Sequence, residues 1–334
     1  MKNYTKPDMS KWTGRIDHTE NYDAFRWHQW IQSLDLNNTL EPCNAFEVGI
    51  AFIGFCSDEG VRRNLGRTGA AKGPNSVRKE LCNMPCSFAP TLKLFDAGDV
   101  HCIEGDLETA QNDLALAISQ IMSLGLFPLI LGGGHEVALG TYKGIALLNH
   151  FDAQNALGII NFDAHFDIRP YEMQGSSGTM FRQISDLCVL NHTPFNYFCI
   201  GIQKRGNTVD LFKTADKLGI QYLMAKDIGE GDLASAFDRL DQFIESKKHL
   251  YVTICTDVFS SAFAPGVSAS QPLGLHPERL LKFFKYIFKS KKVIAFDIAE
   301  VSPRFDHDNI TANLAATFIF SAVNAIAHNH NIAL

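Results

Sequence analysis

Asp163, His165 and Asp167 fall at alternate positions in NFDAHFDIRP (161–170), directly after the apolar run LGIIN (157–161). Alternate residues of an extended backbone point to one face, so the three side chains are expected to converge. Aspartates are almost never fully buried unless paired, and three ionisable groups at the end of an apolar strand therefore need a compensating charge. A divalent cation supplies one. Mixed carboxylate–imidazole ligation suits Mn2+, Zn2+ or Fe2+ better than Ca2+, which prefers oxygen alone.

Three other segments carry related residues. In GGGHEVALG (132–140) the glycines permit a sharp turn, and His135 falls at the expected start of a helix. That segment also reads as a tight strand-to-helix turn with an incidental histidine. As a phosphate loop it lacks both the Lys-Ser/Thr pair and the G-x-G-x-x-G spacing. In YVTICTDV (251–258) Cys255 and Asp257 stand two residues apart, either as a metal-binding pair or as a buried thiol beside an aspartate. AFDIAEVSPRFD (295–306) places Asp297 and Glu300 at the end of another apolar run, where Glu300 taken alone could equally form a surface salt bridge. Four strand ends bearing such residues say more together than any one of them. His328 and His330, near the C-terminus, read instead as solvated.

These residues need strands to bring their ends together. Apolar runs suited to strands occupy 47–55, 92–96, 127–133, 157–163, 196–202, 219–224, 249–255 and 292–298. Helical patterns fill 106–125, 232–248, 276–292 and 308–328. Near-continuous apolar strands alternating with helices predict an α/β protein whose parallel sheet is covered on both faces. Strands in this number could also close into a barrel. In both architectures ligands bind beyond the carboxyl ends of the strands, where the polar clusters lie. The first 40 or so residues are polar with scattered aromatics and read as a peripheral arm or cap.

With 334 residues, 46% of them hydrophobic, the chain can build one large α/β domain or two smaller ones. A net charge of -6 without basic runs gives no electrostatic footprint for nucleic acid or an anionic membrane. No apolar run reaches the length of about 18 residues that marks a transmembrane helix. The polar start, MKNYTKPDMSKWTGRIDHTE, lacks the apolar stretch of a secretory signal. Cys43, Cys56, Cys82, Cys86, Cys102, Cys188, Cys199 and Cys255 show no disulfide-framework spacing, which suggests reduced thiols. The expectation is a soluble, cytoplasmic protein.

In this order the clusters resemble the ureohydrolase superfamily of arginase, agmatinase and formimidoylglutamase. The matching stretches are GGGHE (132–136), DAHFD (163–167), the D-V-F…APG run from Asp257 to Gly266, and DIAE (297–300). GFCSDEGVRRNLGRTGAAKGP (54–74), INFDAHFDIRP (160–170), SSGTMFRQI (176–184), APGVSA (264–269) and DIAEVSPRFD (297–306) are similar to the formimidoylglutamase branch. The resemblance runs from about residue 45 to 328. It implies a three-layer α/β/α fold with a mainly parallel sheet of about eight strands. It also implies one arginase-like metallohydrolase domain over 45–334, behind an arm at 1–44. Ureohydrolases often form multimers, so a homo-oligomer is compatible with it.

The resemblance further implies a pair of Mn2+ ions at the rim of the sheet. His135 and Asp167 would bind one, His165 and Asp257 the other, and Asp163 would bridge them. The family's second bridge, an aspartate two residues before Asp257, is Cys255 here, in Thr253-Ile254-Cys255-Thr256-Asp257. A thiolate can bridge, but it favours Zn2+, Fe or Cu(I) over Mn2+, and a neutral thiol would leave the ions less compensated.

The implied reaction is hydrolysis of N-formimidoyl-L-glutamate to L-glutamate and formamide, in histidine degradation, by a metal-activated hydroxide. Glu300 would orient the cationic amidine, and Asp167 would pass a proton to the departing amine. A dicarboxylate substrate calls for cations. Arg169 can pair bidentately with a carboxylate, and Arg182 lies in SSGTMFRQI, with Ser177 and Asn64 as polar partners. Arg62, Arg67 and Gly69 are further candidates for the lining. Phe181 stands where arginases carry a histidine, which points away from arginase itself. Cys255 keeps two alternatives in view. One is hydrolysis of another amidine or guanidine, as in agmatinase- or guanidinobutyrase-like enzymes; the other is a non-catalytic binding protein on the same scaffold. The retained carboxylates, which repel one another without a cation, favour an enzyme.

Overall fold

The computed structural model describes residues 1–38, 48–148, 151–152, 156–229 and 233–334. Its sheet contains β1 (Tyr4–Thr5), β2 (Gln32–Ser33), β3 (Val48–Cys56), β4 (Leu92–His101) and β5 (Phe127–Leu131). It continues with β6 (Leu157–Phe162), β7 (Tyr197–Ile202), β8 (Gln221–Met224), β9 (His249–Cys255) and β10 (Val293–Ala299). The order across it is β1-β4-β3-β5-β10-β9-β6-β7-β8, with β2 also paired to β4. From β4 to β8 all neighbours are parallel; β1 runs antiparallel to β4. The sheet is therefore open, and the barrel alternative falls away.

Helices cover both faces: α1 (Trp27–Trp30), α2 (Glu59–Arg63), α3 (Gly73–Leu81), α4 (Leu107–Ser123), α5 (Val137–Leu148) and α6 (Met180–Leu190) come first. The chain then adds α7 (Val209–Lys217), α8 (Ala225–Gly229), α9 (Leu233–Glu245), α10 (Pro277–Lys289) and α11 (Ile310–Asn329). Alternate strand residues decide which helices go where. Ile50, Phe52, Ile160, Phe162, Val252 and Ile254 face a core shared with α3, α9, α10 and α11. Their sequence neighbours Ala51, Ile53, Ile159 and Tyr251 face cores shared with α4, α5 and α6. Three layers follow from strands that are apolar on both sides. By length and composition α11 could cross a membrane, but Ala312, Ala315, Phe318, Ile319, Ala322 and Val323 are buried in the core, so it is a core helix.

The structure departs from the sequence expectations at the first edge of the sheet. Strand β4 runs to His101 rather than ending at residue 96. Asp96 and Asp99 break the apolar pattern there, yet both are buried and satisfied by Arg78 of α3. The N-terminal segment is more than a polar cap. It supplies β1 and β2, buries Trp12 and Trp27, and donates the Trp12 indole N–H to Asp96 Oδ2 at 2.6 Å. The 44/45 boundary, Cys43, and the first residues of the expected strand 47–55 and helix 232–248 lie outside the described residues. The other seven cysteines are free thiols.

Candidate metal centre

Strands β5, β10, β9 and β6 are consecutive across the sheet, and their carboxyl ends deliver the ionisable residues to one place. His135 sits in the turn after β5, two residues before α5 begins at Val137. The glycines of this turn are needed for space: a Cβ on Gly133 would strike the carbonyl oxygen of Ser57. The same Gly133 offers its own carbonyl to the Glu300 amide at 2.8 Å. Asp163, His165 and Asp167 do not continue β6 as an extended strand. They lie in a loop in which Asp167 has φ 50°, a left-handed conformation, and Glu300 after β10 has φ 66°. Such backbone costs of the order of 1–3 kcal/mol and persists where the surroundings over-determine it. Here it turns both carboxylates inward.

The carboxylate of Asp163 lies between the two imidazoles. Its Oδ2 is 2.9 Å from His135 Nδ1, and its Oδ1 is 3.4 Å from His165 Nδ1. Asp167 Oδ2 is 3.1 Å from His135 Nδ1, and Asp257 Oδ2 is 3.1 Å from His165 Nδ1. The donors thus divide into two groups that share Asp163. Asp163, His165 and Asp257 can converge on one ion, and so can His135, Asp163 and Cys255.

Burial opposes ionisation throughout, and the charges decide the outcome. Burial disfavours the imidazoliums, but the adjacent carboxylates outweigh it and hold His135 and His165 well above the usual histidine value. Despite complete burial, those imidazoles keep Asp163 well below the usual carboxylate range. Burial and the Asp163 charge push Asp167 up to about 6. Burial raises Asp257 and, with the neighbouring Glu136, raises Glu300 strongly. The Cys255 thiol is pushed up by burial and then by Asp163 and Asp257. Asp257 Oδ1 and Glu300 Oε2 are buried without a hydrogen-bond partner, an arrangement that carries a cost unless something positive satisfies them. Imidazole and carboxylate donors around unsatisfied buried oxygens fit divalent cations of the Mn2+ type.

A further layer fixes these groups. His135 Nε2 is 3.0 Å from Thr253 Oγ1, which leaves Nδ1 to face the carboxylates. Asp297, expected at the rim, instead lies inside β10, fully buried, and accepts a hydrogen bond from the Tyr251 hydroxyl. It stands behind Thr253 rather than beside the cluster, because its register partner in β9 is Thr253. Asn161 Nδ2 donates to Asp163 Oδ2 at 3.2 Å and lies 2.8 Å from the Tyr197 hydroxyl. The His165 backbone is held at both ends, its N–H donating to Asp163 Oδ1 at 2.8 Å and its carbonyl accepting from the Cys199 thiol at 3.5 Å.

The cluster forms the floor of a cavity of about 270 Å³. Asn64, Arg169, Ser177, Cys255 and Glu300 line it, together with Arg67. The Glu300 carboxylate is held by one oxygen only, Oε1 accepting from the His135 amide at 3.0 Å, so Oε2 is available to a cationic ligand. Three residues named from sequence lie elsewhere: Arg182 is within 3.5 Å of Asp186 on its own helix, Arg62 is paired with Glu59 at 2.6 Å, and Gly69 donates its N–H to Asp58 Oδ2 at 2.6 Å. None of them lines the cavity. Phe181 is buried, its ring edge-on to His135 and stacked on Tyr197. Sequence reading missed the roles of Thr253 and Asn161, although Thr253 lies two residues before Cys255 on β9 and so on the same face; Asn161 lies two before Asp163, which has already left β6. Of two further lining residues, Asn207 carries no signal that would have marked it, and Ser268 lies in the APGVSA stretch without having been singled out.

The sequence model of the arginase family matches residues 48–324. The formimidoylglutamase of Clostridium tetani (strain Massachusetts / E88) is 56% identical over 337 residues, spanning 99% of each chain. That of Geobacillus thermodenitrificans (strain NG80-2) is 42% identical across 96% of this chain and 97% of its own. Among solved structures, formimidoylglutamase from Bacillus subtilis superposes with a TM-score of 0.77 at 23% identity, covering 92% and 94% of the two chains. Trypanosoma cruzi formiminoglutamase with Mn2+ superposes with a TM-score of 0.74 at 24% identity, covering 84% and 94%. These structural likenesses concern the fold; the match of 277 consecutive positions, 48 to 324, and the near-full-length identities concern descent. By these matches the chain belongs to the arginase family.

Proposed function

We propose that this protein hydrolyses N-formimidoyl-L-glutamate to L-glutamate and formamide, as a Mn2+-dependent enzyme of two ions, within one domain over 45–334 preceded by an arm at 1–44. The observation that carries the reaction is the 56% identity, over 99% of both chains, to a formimidoylglutamase. Two cations held by His135, Asp167, His165, Asp257 and the shared Asp163 would act as Lewis acids and lower the pKa of a water to give the nucleophile near neutral pH. The rest falls to the chain's own groups. Glu300 Oε2 accepts a hydrogen bond from the amidinium and fixes its plane beside the cluster, an electrostatic contact strengthened by burial. The water oxygen bonds to the formimidoyl carbon, the bond from that carbon to the glutamate nitrogen breaks, and that nitrogen takes up a proton. Asp167, 3.1 Å from His135 within the cluster, would take the proton that the water gives up and pass it to that nitrogen. Arg169, with Ser177 and Asn64 beside it in the lining, takes the carboxylate next to the reacting nitrogen.

The test is formamide release from N-formimidoyl-L-glutamate by protein whose metal content is measured, loaded in turn with Mn2+ and Zn2+. Stoichiometric metal without turnover on this or any other amidine would leave a binding protein rather than an enzyme.

Cys255 offers the sharpest test of the metal set. Its thiol, held neutral by burial and by Asp163 and Asp257, supplies neither the charge nor the hard oxygen that Mn2+ prefers. Cys255→Asp is expected to raise Mn2+ affinity and to shift the Mn2+/Zn2+ activity ratio toward Mn2+. Unchanged affinity and ratio would place the thiol outside the ligand set.

Thr253 tests the layer behind it. Thr253→Val removes the acceptor for His135 Nε2–H, and metal affinity is expected to fall about 10- to 100-fold, measured by titration calorimetry on metal-free protein. Thr253→Ser, which keeps the oxygen, is expected to retain most of it. A loss in Thr253→Ser with none in Thr253→Val would mean that the methyl packing matters and the hydrogen bond does not.

A further inference from the structure

The arginines near the cavity are of two kinds. Arg62 and Arg63 are spent on Glu59, and Arg182 on Asp186. Arg67 and Arg169 line the cavity and have no carboxylate partner among the described residues. They belong to different stretches of the lining. Arg169 packs beside Ser177 and Asn64: a Cβ on Gly178 would lie 3.0 Å from Arg169 Cδ and 2.8 Å from Asn64 Oδ1. Arg67 is fastened to the loop 267–268, its Nε donating to the Ser268 carbonyl at 2.9 Å and its Nη2 to the Val267 carbonyl at 2.7 Å. Its backbone N–H donates to Ser268 Oγ at 2.8 Å, and its guanidinium carbon stands 4.1 Å over the Phe305 ring.

This guanidinium is immobilised without being neutralised. Carbonyl oxygens and an aromatic face orient it but leave its charge uncompensated, and three of its five N–H groups remain free. A fixed guanidinium loses little side-chain freedom on binding, and its planar fork matches a carboxylate. The proposed substrate carries a pair of carboxylates, one on the carbon bonded to the reacting nitrogen and one at the end of its side chain. Arg169 follows Asp167 of the metal cluster by two residues and suits the nearer carboxylate. We infer that Arg67 binds the side-chain carboxylate and so makes the site selective for a dicarboxylate amidine. This rests on the reading of the substrate as N-formimidoyl-L-glutamate.

The experiment compares that substrate with N-formimidoyl-L-2-aminobutyrate, which lacks the side-chain carboxylate, in the Mn2+-loaded wild type, R67Q and R67K. The wild type is expected to favour the dicarboxylate. In R67Q the ratio of the two kcat/KM values falls about 10- to 100-fold, as loss of a charged hydrogen-bonded contact predicts, chiefly through KM. R67K, which keeps the charge but not the fork, falls between. Taking the ratio within each variant cancels any general loss of folding or metal. An unchanged ratio in R67Q overturns the inference while leaving the hydrolysis intact. The second measurement is binding of L-glutamate to the same proteins by calorimetry. If the wild type releases no formamide yet binds glutamate, and R67Q binds it at least about tenfold more weakly, the carboxylate assignment stands and the reaction does not. Equal glutamate affinity in wild type and R67Q sinks the assignment.

Discussion

Asp163→Asn is expected to lower kcat/KM for formamide release by at least about 10³-fold and to leave the protein with almost no bound metal. The reason is geometric. Asp163 is fully buried and presents one oxygen to each imidazole, at 2.9 Å to His135 and 3.4 Å to His165. Asparagine keeps the shape but removes the charge and turns one acceptor into a donor, so both groups of ligands lose their common anion. Asp257→Asn makes a useful contrast, because Asp257 contacts His165 and not His135. It is expected to weaken one ion and spare the other. Elemental analysis of metal per chain after dialysis separates the cases: near zero for D163N and near one for D257N. Two ions retained by D163N would remove Asp163 from its shared position. The order of the losses also bears on pH. With Asp167 at about 6 and both histidines held high in the metal-free protein, cations must displace protons to bind. Metal affinity should therefore rise with pH through and above 6, and acid should release the ions.

Much of this centre was legible in the sequence, because its residues sit at the ends of strands whose apolar character is plain. In β9 and β6 nearly every residue is buried, and such runs read as parallel strands without ambiguity. Once the strands are parallel, their carboxyl ends share a rim, and residues far apart in sequence, such as His135 and Asp257, must be near one another. What was not legible is backbone that leaves the regular pattern. Alternation predicted one face for Asp163, His165 and Asp167, whereas convergence in fact depends on a loop with a left-handed Asp167. Asp297 follows the same logic in reverse. It belongs to a strand that continues past it to Ala299, so its carboxylate meets the Tyr251 hydroxyl on one face of the sheet rather than the rim. Strands β1 and β2 have two residues each, too short for any periodicity to reveal. Arg182 failed for a different reason. Its segment reaches the site through Ser177, but helix α6 carries residue 182 away to meet Asp186.

Arg78→Met is expected to cost about 3–5 kcal/mol of stability, the range for removing one partner of a buried charge pair. Arg78 is 1% exposed. Its Nη1 donates to Asp99 Oδ1 at 2.6 Å, its Nη2 to Asp96 Oδ1 at 3.0 Å and to the Gly98 carbonyl at 2.8 Å. Methionine fills similar volume but leaves two buried carboxylates facing each other, with Lys11 at 3.4 Å from Asp99 left to pair with it. At about 2.1 cal/mol/K of unfolding entropy per residue, the loss corresponds to a fall in Tm of about 4–7 °C for a chain of this length. The acid response gives the sign. Burial pushes the Asp99 carboxyl up, but Arg78 outweighs it and holds it below the usual carboxylate range. A carboxyl lowered by folding stabilises the native state at pH above its unfolded value, and that contribution is lost as pH falls through the depressed one. Without Arg78 the burial term is unopposed, Asp99 takes up a proton at higher pH in the native state, and acid unfolding should begin at higher pH than in the wild type. Adding Asp99→Asn to Arg78→Met is expected to recover part of the loss, because the stranded charge goes with it. If the double variant were instead destabilised by the sum of the single losses, the two side chains would be acting independently. The same network holds the N-terminal segment, through Trp12 on Asp96. Arg78→Met should therefore also speed proteolysis within residues 1–38, as β1 and β2 lose the register of the strand on which they pair.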